Sequence, residues 1–160
     1  MEIPPRLSCG LIQCLPMDLI ALRRFVTDAE RIVDLTQFTR NEWLSRPDIV
    51  PCRELLLVRA TMQPGKSHPF HRHPNREEII YVLSGTAEQW CGDQYRILKP
   101  GDMVLIPKDE VHGTYNPFDV PVVFLAILSP SQADGPDVVD VDHEPPWKDL
   151  RQRNHLPECG

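Results

Sequence analysis

The chain has 160 residues with 41% apolar and 25% charged side chains, enough for one domain with a single core. The net charge of −6 and the lack of any basic run exclude a nucleic-acid binder, the densest basic cluster being Arg23-Arg24. No stretch has the roughly 18 uninterrupted apolar residues of a membrane helix, which excludes a membrane span.

The 17 prolines are about twice the usual share and argue for short strands, turns and extended tails. The five cysteines, Cys9, Cys14, Cys52, Cys91 and Cys159, are odd in number, scattered and without a CxxC pair. That pattern fits free thiols in a reducing cytoplasm, not a disulfide framework.

In chain order, residues 1–16 are broken by proline and read as a loose leader, with Met17 an alternative start. The apolar stretch there is cut by Pro16 and Asp18, which argues against a signal peptide. Residues 18–25 suit a short helix or a strand, and 31–38 alternate as a strand does. Residues 41–52 hold Trp43, Pro47 and Pro51 and read as a loop. Together 17–53 form an extension that packs on, or pairs with, the segment beginning at residue 54.

From residue 54 the β pattern sharpens. Strands are expected over 54–62, 67–73, 77–83, 86–91, 94–98, 103–106, 111–115 and 121–128, with turns at Pro64-Gly65, Ser84-Gly85, Gly92-Asp93 and Pro100-Gly101-Asp102. Short strands at regular spacing mean a sandwich or barrel, so the fold class is all-β. Residues 130–160 are acidic and proline-rich and read as a tail. Within it 138–141 is a possible edge strand, Trp147 is free to dock on the barrel, and the last ten residues look frayed.

One stretch carries the chemistry. Side chains at i and i+2 of a strand share a face, so His71 and His73 point one way and His68 the other. A turn at Pro74-Asn75-Arg76 then returns Glu77 or Glu78 beside the histidine pair. Two imidazoles and a carboxylate on neighbouring strands are a metal-ligand set. Farther on, Gly101, Pro107, His112 and Asn116 place another histidine at the start of a strand.

These two stretches resemble the paired motifs of the cupin superfamily. Gly65, His71, His73, Glu78 and Gly85 match the first motif in full; Gly101, Pro107, His112 and Asn116 match the second, with Asp109 where glycine is usual. Aspartate tolerates left-handed backbone better than most residues, so the turn can survive. The resemblance covers about residues 54–129. It implies a double-stranded β-helix barrel over that span, with one divalent transition ion (Fe, Mn, Ni, Co or Zn) held by His71, His73, Glu78 and His112. It selects Glu78 over Glu77, which is left to solvent, and casts Glu78 as a ligand and also a base. It further implies a small-molecule enzyme, most concretely a dioxygenase-type oxidoreductase on an oxygen-rich or carboxylate-bearing substrate. The alternatives are an isomerase or lyase using the ion as a Lewis acid, and a non-catalytic binding module.

Arg59 is the second candidate catalytic residue. It stands in the apolar run LLLVRATM, where it either enters the barrel to anchor a substrate carboxylate or lies on the outer face with its stem packed down. Tyr81, Trp90, Tyr115 and Phe124 line the pocket or simply fill the core. Asn116 steadies the His112 strand or forms a turn. Open sheet edges and the N-terminal strand argue for a homodimer.

Overall fold

The computed structural model describes residues 23–153. The readings for 1–16, for 18–22 and for 154–160 lie outside them, and residues 23–25 form no regular element. The elements are β1 (Ile32–Leu35), β2 (Arg40–Ser45), β3 (Leu56–Met62), β4 (Ser67–Arg72), β5 (Glu77–Ser84) and β6 (Ala87–Cys91). They continue with β7 (Gln94–Leu98), β8 (Met103–Ile106), β9 (His112–Tyr115), β10 (Val122–Ser129), β11 (Val139–Asp140) and α1 (Trp147–Arg153).

Two antiparallel sheets face each other. The first has the order β1-β2-β3-β10-β5-β8 and the second β11-β4-β9-β6-β7. Period-2 burial shows why these sequences settle as strands. In β3 residues 56, 58, 60 and 62 are buried and the residues between them half-buried, and β10 repeats the pattern over 122–128. The core between the sheets takes Val58, Met62, Ile80, Val82 and Phe124 from the first and Ala87 and Leu98 from the second. A second apolar cluster of Phe70, Trp90, Tyr115, Val141 and Leu150 is built on the second sheet.

Gly85 shows what the β5–β6 turn demands. Its φ is 75°, and a Cβ there would lie 2.3 Å from the Pro121 carbonyl oxygen, so only glycine fits. Asp109, with φ 64°, is the one non-glycine residue in left-handed backbone among those described, at the position where the second motif usually has glycine.

Two expectations need correction. The loop expected over 41–52 contains most of β2, which pairs with β3; Trp43 stands opposite Val58 there, its indole donating to Asp34 at 2.7 Å. A run that is polar except for Trp43 and Leu44 hid a strand whose stability comes from its neighbour. In the tail after residue 130, the edge strand expected within 138–141 and the docking of Trp147 are both present. Ser131 Oγ donates to the carbonyls of Cys52 and Arg53, β11 pairs with β4, and α1 brings Trp147 to 5.6 Å from the Phe70 ring. Within the last ten residues, 151–153 are helical. Arg151 anchors them. Its guanidinium donates twice to Glu88, at 2.7 and 2.8 Å, and lies 3.8 Å over the Tyr115 ring. Glu88 is 1% exposed and also accepts from the Trp90 indole at 2.6 Å, so a buried carboxylate has three donors, two of them from a guanidinium that offsets its charge.

Candidate metal centre

His71 lies near the end of β4, paired with His112, the first residue of β9. His73 follows β4 directly, in the turn where its carbonyl accepts from the Asp109 and Arg76 amides. Glu78 comes from β5 in the facing sheet, with Leu128 and Ile106 as neighbours. Both sheets therefore contribute, and the four side chains meet between them. All four are buried, and their ligand atoms lie within 4.8 Å of one another. Glu77 is exposed.

The imidazoles are oriented from behind. Nδ1 of His71 faces the Pro69 carbonyl at 2.6 Å, Nδ1 of His73 the Asp137 carbonyl at 2.6 Å, and Nδ1 of His112 the Glu110 carbonyl at 3.1 Å. A carbonyl only accepts, so each Nδ1 carries the proton and each Nε2 presents its lone pair inward. Glu78 Oε2 is 3.0 Å from His112 Nε2 and 3.3 Å from His73 Nε2. His71 Nε2, His112 Nε2 and Glu78 Oε2 are buried with no hydrogen-bond partner. Orphaned buried polar atoms are costly, and three of them converging on one point is what a cation would relieve. Neutral imidazoles with a carboxylate suit a divalent transition ion. The donor set fits such an ion, and an ion there is what the cluster could hold.

Without an ion the electrostatics differ between the rings, holding one neutral and pairing another with the carboxylate. Burial, with His68 and His112 beside it, pushes the His71 ring down to about 2, which keeps it an unprotonated ligand. Burial alone would raise the Glu78 carboxyl, but the His112 and His73 rings outweigh it and hold Glu78 well below the usual carboxylate range. Burial likewise opposes protonation of His73, but contact with Glu78 wins and leaves that ring raised.

The centre opens into a cavity of about 510 Å³, a volume typical of small-molecule sites. Leu56, Val58, Ala60, Ile80, Phe124 and Leu128 supply its apolar wall. Trp43 and Arg46 also line it, the guanidinium 5.0 Å over the indole and held to Asp48 at 2.7 Å.

Of the two readings of Arg59 the outer-face one holds, and its place among the catalytic candidates is corrected. Residues 58 and 60 line the cavity and residue 59, by strand alternation, faces away. Its guanidinium is bound to Glu42, which Arg31 and Arg40 also reach. Of the aromatic candidates Phe124 lines the cavity, Trp90 and Tyr115 belong to the outer cluster, and Tyr81 is exposed. Asn116 ties the end of β3 to the loop before β10, donating to the Met62 and Val120 carbonyls.

His68 is a second correction. It does not point away: it lines the cavity, its ring 3.9 Å from that of His71. The register explains this. His68 pairs with Thr114 and His71 with His112, three steps on β4 against two on β9, so a bulge reverses the parity. Pro69 was the available signal, since proline inside a strand is confined to edges and bulges. Burial lowers the His68 ring to about 4. Arg76 and Asp137 also reach the cavity and carried no signature in the sequence.

The comparisons with known proteins converge. The model of the cupin domain family matches residues 58–128. Protein SchB of Streptomyces halstedii is 38% identical over 85 residues, 53% of this chain and 61% of SchB. Pectin degradation protein KdgF of Dickeya dadantii is 31% identical over 81 residues, 51% of this chain and 73% of KdgF. The structure of the polyketide cyclase RemF from Streptomyces resistomycificus superposes with a TM-score of 0.64 at 22% identity, over 81% of this chain and 99% of RemF. At that identity the likeness is one of fold. The chain spans less than two thirds of the first curated relatives it matches: 61% of SchB and 30% of mannose-1-phosphate guanylyltransferase RfbM of Salmonella typhimurium.

Proposed function

We propose, for a chain that belongs to the cupin superfamily, a metal-dependent enzyme acting on a small, mostly apolar molecule that carries oxygen functions. The observation that supports it is the trio of unpartnered buried donors, His71 Nε2, His112 Nε2 and Glu78 Oε2, on residues that line a largely apolar cavity. His71, His73, Glu78 and His112 would hold the ion. The ion would supply polarisation of substrate oxygens and, if redox-active, electrons to O₂.

The chain's own residues do the rest. The Pro69, Asp137 and Glu110 carbonyls fix the tautomers of the three rings, so no reorientation is needed on binding. Glu78 brings one negative charge that partly offsets a dication. The wall from Leu56 to Leu128 excludes water from the reacting groups and takes the apolar part of the substrate.

The reaction class we favour is a dioxygenase, in which both atoms of O₂ enter the substrate. Oxygen uptake by the Fe(II)-loaded protein across a panel of catechols and 1,3-dicarbonyls tests it, with one O₂ consumed per product expected. Turnover by the Zn(II)-loaded protein without oxygen would overturn it in favour of Lewis-acid isomerase or lyase chemistry. Glu78 could then also act as a base.

No helix among the described residues is long and apolar enough to cross a membrane. Cys52 and Cys91 are free thiols, which supports a reducing, cytoplasmic setting. The assembly we propose is a homodimer. Strands β1 and β8 leave the first sheet open at both edges, and Tyr81, Leu83, Met103 and Leu105 are exposed on the face turned away from the core.

A further inference from the structure

Arg76 is an uncommon residue for its place. It precedes β5 by one position and shares the inward parity of Glu78 and Ile80. It lines the cavity and its side chain is 8% exposed. A guanidinium offers five N–H donors and never loses its charge. Nη2 donates to Asp137 Oδ1 at 2.7 Å. Nε is buried with no partner, and the Nη2 bond to Asp137 is the one side-chain hydrogen bond of Arg76 among the described residues. Most of the donor capacity of a buried cation is therefore unspent.

Its counter-charge is poorly placed to neutralise it. The Asp137 side chain is 65% exposed, so water screens that carboxylate while the guanidinium stays in the cavity wall. The formal charge of the lining points the same way. Arg46 and Arg76 contribute +2, and Asp48, Glu78 and Asp137 contribute −3, giving −1. A divalent ion at the histidine cluster turns that into +1. A site with that balance favours a ligand carrying one negative charge.

We propose that Arg76 is the anion anchor of the cavity, and that the substrate is a monocarboxylate whose carbon skeleton packs on the apolar wall. The planar guanidinium takes the carboxylate with charge-assisted hydrogen bonds. This gives to Arg76 the role that the sequence had offered to Arg59. It rests on the cavity being the substrate site, and it adds the substrate's charge and the residue that reads it.

The test uses benzoate and its neutral isostere benzamide as calorimetric probes of the full chain, loaded with redox-inert Zn(II), beside Arg76→Gln and Arg76→Lys. Metal content is measured separately on every sample. Benzoate affinity is expected to fall at least roughly tenfold in Arg76→Gln and to recover in part in Arg76→Lys. Benzamide affinity and zinc content are expected to stay the same. Equal benzoate binding by wild type and Arg76→Gln overturns the proposal. So does an equal loss for both probes, which would mean that Arg76 only braces residue 137 against the β4–β5 turn. A wild type that binds neither probe, or benzamide as well as benzoate, also overturns it. If the protein takes up no zinc, the proposed function fails on that measurement alone, and the anion anchor falls with it, because the metal-free lining carries a net −1.

Discussion

Metal loading should stabilise this chain, and the size of the effect can be worked from the cluster. In the metal-free protein His71 Nε2, His112 Nε2 and Glu78 Oε2 are buried without partners. Each such atom costs about 1–3 kcal/mol, so the three together make a strained centre that an ion would relieve. The readout is set by mass action: an ion at 100 times its Kd adds about 2.7 kcal/mol to the folded state. For a chain of this length each kcal/mol moves the midpoint by about 2–4 °C, so a rise of about 5–11 °C is expected. The assay is a thermal melt of chelator-treated protein with Mn(II), Fe(II), Ni(II) or Zn(II), beside His112→Ala. Wild type should rise with at least one ion and bind close to one equivalent, while His112→Ala should show little rise. The variant removes one ring from a site of four, and the remaining three donors come from β4, the turn after it and β5. Identical midpoints with and without every saturating ion would refute the reasoning, as would equal occupancy in wild type and variant.

Three further outcomes are expected. Arg151→Ala leaves Glu88, 1% exposed, without its two guanidinium bonds; a loss of about 2–4 kcal/mol in urea unfolding is expected, largely rescued by Glu88→Gln, and a loss under 0.5 kcal/mol would show that α1 adds nothing. Glu42 is held at about 2, chiefly by the Arg59 contact with help from Arg40 and against burial, so its folded value lies below its ordinary 4.5. That stabilisation, about 3 kcal/mol, is present above pH 4.5 and lost as pH falls toward 2; the stability gap between wild type and Glu42→Gln should therefore close over that window, and a gap independent of pH would refute it. Light scattering should give a dimer, and Leu105→Glu, on an exposed apolar face, should give a monomer; a monomeric wild type at high concentration removes the claim.

Much of the fold was legible because alternation and turn chemistry are local. Strands β3 to β10 lie within a residue or two of where the pattern puts them, since β3, β5 and β10 alternate at period 2 and Gly or Pro turns bound most of the others. Residue 109 is left-handed, as its place in the second motif suggested. Strand β2 was not legible. Its burial depends on β3 alongside and on Arg31, Arg40 and Arg59 converging on Glu42, a contact between segments with no periodic trace. Helix α1 was hidden for the same reason: seven residues are too few to signal a helix alone, and what holds them is Glu88, more than 60 positions away.

The site divides along the same line. Residue types and spacing by themselves determined His71 and His73 with Glu77 or Glu78, because a β-strand has a fixed two-residue repeat and metal chemistry needs imidazole and carboxylate donors; the resemblance to the paired cupin motifs chose Glu78 and added His112. Tertiary structure alone decided which other side chains share their space. A bulge at Pro69 turned His68 inward, strand parity turned Arg59 outward, and the returning chain at Asp137 met both His73 and Arg76. Parity over a short strand is a local property, whereas a bulge or a long-range contact depends on what the rest of the chain places opposite it.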